Sequence, residues 1–420
     1  MSQPPQVPPS SEYVPLFNRN YLLGLVWLSI IVITALSALK DSEPALYDFH
    51  ANTDERLYTL TTPSNQLRLE LVFPVAHGAS LAAPLLADYL KKQTDDSTLA
   101  LLNSRSIRVT NDTVAFVLDA NAEAWQSLIQ GSPAAWLTEL THQLCAPASG
   151  TTAAALTARA QAGALINQQQ NSKQLQTRFL DAHFNTPRLS QSTLNSLIEH
   201  GCRQYSLALF GANAMETAKA LRPNTTLTAI TKDSTDTALA AETGSTTYRA
   251  TPVKLALPIA GQRIRGEGAN ALWAFGLPMA NLTNHEHFSQ KAAAILASQV
   301  FAQTSVSYRL LWQQGREQSY YLWVINSPYD EARKSLTSAL SQLSDHSLDE
   351  HWNTLRQQWL DDLDSAQGQW AIIEQIAAYQ LNPALFPYYA EHLNNLNAES
   401  LRPWVEQYLS LDDNTQVMFE

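Results

Sequence analysis

The sequence has few charged residues and, among them, few bases. Charged side chains make up 15% of its 420 residues, and 27 Lys and Arg stand against 38 Asp and Glu, which gives a formal net charge of −11. Nucleic-acid binding needs a basic surface that displaces counterions from phosphates. The sequence has no such Lys/Arg cluster, and it therefore indicates that the partner is not a nucleic acid.

Cysteine is also scarce, because the chain has only Cys145 and Cys202. Two thiols that do not form a C-x-x-C pair exclude a disulfide-rich scaffold and a zinc site built on thiolates. Free cysteines are often buried as small hydrophobic residues, which is the interpretation we favour. The alternative is a single disulfide, if the domain folds in an oxidising compartment. The G-x-S-x-G and P-loop motifs are absent as well.

One long apolar run is present near the start of the chain. Residues Tyr21 to Leu39, "YLLGLVWLSIIVITALSAL", contain no charge, and 19 helical residues span about 28 Å, close to the thickness of a hydrocarbon core. A cleaved signal peptide is the alternative, but the run is longer than the usual h-region and only Arg19 precedes it as a base. We expect an uncleaved anchor, with a short Pro-rich tail inside and a large domain outside.

The rest of the chain mixes strand and helix patterns, and the fold class expected is α+β. Segments such as "TVAFVLDA" are rich in β-branched and aromatic residues, whereas "HWNTLRQQWLDDL" has apolar residues at helical spacing. Thr, Ser and Ala dominate residues 225–251, and this composition is typical of a linker. The predicted organisation is a cytoplasmic tail (1–20), a transmembrane anchor (21–39), a first domain (45–224), a linker (225–251) and a second domain (252–420).

The two predicted domains resemble each other in the order of their segments. A buried strand leads into a helix twice in each half, and a third pair of segments keeps the same offset. Three pairs in register indicate a duplicated domain. The pairs are "LELVFPVA" with "LWAFGLPMA", "TVAFVLDANAEAWQSLI" with "YYLWVINSPYDEARKSL", and "RFLDAHFN" with "IAAYQLNP".

A duplicated α+β domain that opens with strand, turn and helix resembles one half of an insulinase/pitrilysin-type metallopeptidase, similar to the processing peptidase subunits. In that family the first helix carries H-x-x-E-H, in which two His bind zinc and the Glu is the general base. The matching helix here is "A-P-L-L-A-D-Y-L-K-K". The resemblance places Pro84 and Asp88 at the two His positions and Ala87 at the Glu position, so catalytic and metal residues are expected to be absent.

The other family positions are altered too. The third zinc ligand, a Glu, should fall within "TTAAALTARAQAGALINQQQ", which has no acid. A substrate-binding Tyr is retained at Tyr320 or Tyr321, but the Arg that precedes it in the family has become Gln313 or Gln314. Arg309 and Arg316 are not at the spacing of that Arg. The Gly-rich segment usual before this motif is replaced by "FAQTSVS".

A relocated metal site is the enzymatic alternative. Three segments come near a zinc motif, "SLIEH" (196–200), "YYAEH" (388–392) and "HEHFS" (285–289), but each lacks one His. His77 stands alone and suits a polar turn. The ten tryptophans are expected to pack in cores or interfaces rather than form a ligand cage; they include Trp125, Trp136, Trp352, Trp359 and Trp370.

The resemblance implies a pseudo-peptidase rather than an enzyme. Family members assemble from two halves, so a single half without ligands implies a partner: an active homologue that holds the zinc, or a second copy of the chain. The expected function is a membrane-anchored binding or scaffold subunit that accepts peptides or unfolded protein, with its globular part in the bacterial periplasm. The alternatives are a metallopeptidase with relocated ligands and an interaction protein of envelope assembly that has no protease partner.

Overall fold

Two β-sheets flanked by helices make up the part of the chain that the structure describes. The computed structural model describes residues 46–64, 66–75, 82–95, 105–110, 112–121, 125, 132–168, 171–183, 191–231, 263–266, 272–279, 287–313, 315 and 319–419. By its contacts the chain from Leu46 to Glu420 is one unit. The predicted mixed α/β fold is confirmed.

The predicted tail and anchor, residues 1–20 and 21–39, lie outside the described residues. Among the residues that are described, no helix has the length and apolar character needed to cross a bilayer.

The first sheet has seven strands in the order β4-β5-β3-β6-β2-β1-β7. Its longest strands, β3 and β5, pair antiparallel over nine residues. The strands are β1 (Asp48–Asn52), β2 (Leu57–Thr61), β3 (Gln66–Pro74), β4 (Arg105–Val109), β5 (Thr113–Asn121), β6 (Ser206–Phe210) and β7 (Thr228–Ala229).

Alternation along β3 places its large apolar side chains on one face of this sheet, where helices of the first half pack. Leu67, Leu69, Leu71 and Phe73 point into the first core, and the residues between them point to the opposite face, as successive strand residues must. The helices of this half are α1 (Ala82–Asp95), α2 (Pro133–Leu144), α3 (Gly150–Gln168), α4 (Asn171–His183), α5 (Gln191–Gln204) and α6 (Ala214–Leu221).

The second sheet has five strands in the order β10-β11-β9-β12-β8. Its strands are β8 (Arg263–Gly266), β9 (Leu272–Pro278), β10 (Tyr308–Gln313), β11 (Tyr320–Asn326) and β12 (Thr415–Phe419). Its helices are α7 (His287–Ala302), α8 (Tyr329–Gln342), α9 (Asp345–Leu363), α10 (Ala366–Tyr379), α11 (Tyr389–Asn395) and α12 (Ala398–Leu409), with a 3-10 turn at Pro383–Leu385.

Both sheets have the same connectivity over five strands. The strand before the first long helix, β3 or β9, pairs antiparallel with the second strand after that helix, β5 or β11. Its other antiparallel neighbour is β6 or β12. That neighbour also pairs parallel with the strand that opens the motif, β6 with β2 and β12 with β8. The repeated connectivity agrees with the sequence repeat.

Each half places one helix on the sheet of the other half. Helix α4 packs Leu175 and Phe179 against the second sheet, and α10 packs Trp370, Ile373 and Ile376 against the first. These two helices contain the first six residues of the echoed segment "RFLDAHFN" and the first four of "IAAYQLNP". The halves therefore hold each other by a reciprocal exchange of helices.

The cysteines form a disulfide, and our interpretation of them as free buried residues is wrong. Cys145 at the end of α2 is bonded to Cys202 of α5, with Cα atoms 5.8 Å apart. The fold brings the two together at the edge of the first core, although 57 residues separate them in sequence.

Part of the segment expected to be a linker, residues 225–251, belongs to the first sheet. Strand β7 lies within it and pairs with β1. Residues 232–251 lie outside the described residues, so the domain limits stay a prediction.

Candidate functional site

The helix expected to carry the zinc motif is α1, which begins at Ala82. Leu85, Leu86, Tyr89 and Leu90 are buried in the first core, and this apolar face of the helix packs it against the sheet. Pro84 lies in the first turn, where a missing N–H removes no intrahelical hydrogen bond. His77 lies outside the described residues.

The three altered positions lie on one stretch of α1 but differ in surroundings. Pro84 is exposed, Asp88 is partly exposed and Ala87 is buried against the core. Only Asp88 has a metal-binding group. One carboxylate cannot form a catalytic zinc site, which takes three protein ligands and an open position.

Asp88 faces a base on the neighbouring helix. Arg159 of α3 approaches it with 3.9 Å between Nε and Oδ2, and both side chains are well exposed. An exposed pair of this kind contributes about 1 kcal/mol or less. One turn further along α1, the Lys92 ammonium donates to the Thr152 hydroxyl, Nζ to Oγ1 3.3 Å.

Helix α3 therefore lies beside α1, where the third ligand was expected. It presents Arg159 and hydroxyl groups rather than an acid, and the whole segment 151–170 lacks Asp and Glu. A guanidinium repels Zn²⁺ instead of binding it. The α1/α3 site, defined by Pro84, Ala87, Asp88 and Arg159, thus has an ion pair in place of ligands.

The two candidate substrate-binding tyrosines are both buried in β11 and point to opposite faces of the second sheet. The Gln176 amide of α4 donates to the Tyr320 hydroxyl, with Nε2 and Oη 2.6 Å apart. Tyr321 faces the second core and donates to Asn414. Burial raises the pKa of each phenol. Both hydroxyls hold the fold together and neither lines an open cleft.

The remaining residues of that motif do not assemble a site. Gln313 is buried at the end of β10, Arg309 is exposed, and Gln314 and Arg316 lie outside the described residues.

Two of the three near-motifs are in contact, because Phe288 of "HEHFS" packs against Tyr389 and His392 of "YYAEH". His200 borders a cavity of about 210 Å³ between the end of β3 and α10. His392 is buried against Phe288, and the side chains of the 285–287 segment lie outside the description. Within the described part of the chain, no group of three or more His, Cys, Asp or Glu side chains is arranged to hold a metal.

Sequence reasoning missed an ion cluster on the face of the first sheet that α10 covers. Arg108 of β4 donates from Nη2 to Oε2 of Glu70 on β3, 2.7 Å, and from Nη1 to Oε1 of Glu374 on α10, 2.6 Å. Glu70 is fully buried. Its burial, together with the nearby Glu374 carboxylate, outweighs the attraction of Arg108 and raises the pKa of Glu70 to about 7. The one signal in the sequence was an acid in the middle of the apolar strand "LRLELVF".

Comparison by sequence finds no matching family model and no matching curated protein. Comparison by structure finds matches along most of the chain. A protease from Helicobacter pylori matches with a TM-score of 0.59 over 90% of this chain and 100% of its own, at 10% identity. The peptidase M16 inactive domain from Pseudomonas fluorescens matches with a TM-score of 0.59 over 89% and 97%, at 11% identity.

A chain of complex III2 from Candida albicans matches with a TM-score of 0.53 over 87% of this chain and 94% of its own, at 12% identity. Likeness at these identities concerns the fold. The chain has the fold of insulinase-type M16 peptidases, and the resemblance inferred from the strand–helix repeat and α1 is confirmed at that level.

Proposed function

We propose that this chain, which has the M16 peptidase fold without the family's zinc ligands, is a non-catalytic binding or scaffold subunit. It would be anchored by residues 21–39 and paired with an active, zinc-bearing homologue. The two chains would form a chamber at the outer face of a bacterial inner membrane, into which peptide or unfolded protein could enter.

The observation that carries the proposal is the ion pair in the α1/α3 site. Hydrolysis in this family requires a zinc-bound water and a general base. Here Pro84 and Ala87 have no suitable atom, and Asp88 is turned to Arg159. Loss of one ligand could be compensated by a neighbour, but a base on the facing helix makes the local charge unfavourable for a cation. The site therefore has a positive charge where catalysis would need a zinc ligand.

Two further observations support the subunit role. One matching structure is described as an inactive M16 domain and another is a chain of a multi-subunit complex, so the fold occurs in both settings. The Cys145–Cys202 bond supports a location outside the cytosol, since disulfides persist in oxidising compartments.

The partner is tested by co-expressing the full chain with a homologue from the same genome that has an intact H-x-x-E-H. The two chains are then purified together in detergent. We expect a complex of defined size by light scattering, and peptide hydrolysis that the complex performs better than the homologue alone. This chain alone should hydrolyse no peptide.

A matched control separates the alternatives. Mutating the general-base Glu of the homologue to Gln should abolish hydrolysis while the complex still forms. Hydrolysis that persists in that complex would assign catalysis to this chain and overturn the proposal. Failure of every such homologue to form a complex would favour an interaction protein without a protease partner.

A further inference from the structure

The docking of α10 on the first sheet differs in chemistry from the reciprocal docking of α4 on the second. The contact of helix α4 includes apolar side chains and hydrogen bonds from Gln176 to Tyr320 and between His183 and Thr415. Helix α10 also contributes apolar side chains, but it adds Glu374, a charged group, at the ion cluster. The α10 contact therefore includes a charge balance around the buried Glu70 carboxylate.

That charge balance is uneven. Two carboxylates, Glu70 and Glu374, converge on the single guanidinium of Arg108. The next base, Arg68 of β3, is paired with Asp119 of β5, 2.6 Å from Nε to Oδ1. With all five groups ionised the cluster has one more negative charge than positive, and Glu70 is fully excluded from water.

The other ionisable groups near α10 do not relieve this excess. At the far end of the helix, Tyr379 is hydrogen-bonded to Asp112, and His200 borders the adjoining cavity. Asp112 adds a further acid to this side of the sheet. The excess charge is therefore removed most directly when Glu70 itself binds a proton.

We propose that Glu70, Arg108 and Glu374 form a pH-responsive latch, which holds α10 on the first sheet when Glu70 is protonated and weakens that docking when Glu70 ionises. Protonation leaves one carboxylate for one guanidinium, and Glu70 can still accept from Arg108 through its carbonyl oxygen. Ionisation places two carboxylates around one base, and the Glu70 carboxylate is excluded from water while Arg108 and Glu374 stay partly exposed. Because α10 belongs to the second half of the sequence, the latch acts between the halves.

The direction of the pH dependence follows from the raised pKa of Glu70. The pKa of Glu70 is raised to about 7 when α10 is docked and returns towards its ordinary value when the helix opens. A raised acid pKa stabilises the docked state at low pH, and that stabilisation is lost as pH rises through the folded-state pKa. Between pH 6 and 8 the opening equilibrium should increase by about tenfold.

Hydrogen–deuterium exchange of the full chain in detergent tests the latch. Protection factors, corrected for intrinsic exchange, should fall by about tenfold for α10 from pH 6 to pH 8. Helix α4 is the comparison, because burial lowers the pKa of His183 and moves its titration towards the acid side of this range.

Two variants make the test specific. Glu70→Gln mimics the protonated acid and should keep α10 protected at both pH values. Glu374→Gln leaves the burial of Glu70 but removes the competing carboxylate, so Glu70 should ionise beside Arg108 at lower pH and the slope between pH 6 and 8 should become smaller. Asp345→Asn removes a surface ion pair with Arg402, far from the cluster, and should keep the slope of the parent.

Three results would overturn the proposal. They are a flat α10 response in the parent, an equal slope in α4, and a slope that remains in Glu70→Gln or is undiminished in Glu374→Gln. If Glu70→Gln does not fold, Glu374→Gln alone decides, because its outer position leaves no buried charge without a partner.

Discussion

Removal of the disulfide should loosen the α1/α3 site as well as lower stability. Cys145 begins the short connection between α2 and α3, and the bond ties it to α5. The same connection receives a hydrogen bond from Tyr89 of α1 at the Ala146 carbonyl, and the Ala148 amide donates to the side chain of Asn195. The start of α3, which faces Lys92, is therefore held in place through this loop.

The size of the effect follows from the length of the closed loop. A bond across 57 residues restricts the unfolded chain by about 4 kcal/mol at 25 °C. The double variant Cys145→Ser/Cys202→Ser should therefore unfold at lower urea concentration, with a free energy of unfolding lower by about 2–4 kcal/mol.

The assay is urea unfolding of the full chain in detergent followed by tryptophan fluorescence, together with hydrogen exchange of α3. Adding reductant to the parent should reproduce the behaviour of the double variant, while the variant itself should be insensitive to reductant. An unchanged unfolding midpoint in both would show that the bond does not restrict the unfolded chain, and unchanged exchange of α3 would refute its role in placing that helix.

Two other changes have clear expectations. Gly276→Ala should destabilise the protein by roughly 1–3 kcal/mol, because a Cβ there would lie 2.0 Å from a backbone carbonyl oxygen of β11. The control Gly150→Ala places a Cβ that meets nothing within 4 Å and should change stability by no more than about 0.5 kcal/mol. Equal midpoints of the two variants in thermal melts would contradict this expectation. Combined Pro84→His, Ala87→Glu and Asp88→His should give weak zinc binding at best and no hydrolysis, since the third ligand is still missing. Peptide cleavage that a chelator abolishes would show that the α1/α3 site lacks only the side chains that these three substitutions supply.

Much of the fold could be read from periodicity, and the part that could not depends on long-range contacts. The strand around Leu69 and the helix after it were predictable because their apolar residues repeat at two and at three to four residues. The exchange of α4 and α10 was not, since both are amphipathic helices whose sequence does not state which sheet they cover. The pairing of Cys145 with Cys202 was undetermined for the same reason.

For the candidate site, sequence reasoning identified the altered positions but not what replaced them. The resemblance located Pro84, Ala87 and Asp88, and composition showed that the facing segment lacks acids. That Arg159 would point to Asp88 depends on the rotation of two packed helices. The Glu70 cluster was missed because Arg108 and Glu374 come from distant segments, which only the folded chain brings together.

Elemental analysis tests most directly whether this chain holds a catalytic zinc. The full chain, purified in detergent, is incubated with excess zinc and dialysed extensively, beside a homologue with an intact H-x-x-E-H treated in the same way. We predict far less than one zinc per chain here and close to one in the homologue. About one zinc per chain retained by this protein would contradict the prediction that its α1/α3 site binds no catalytic zinc.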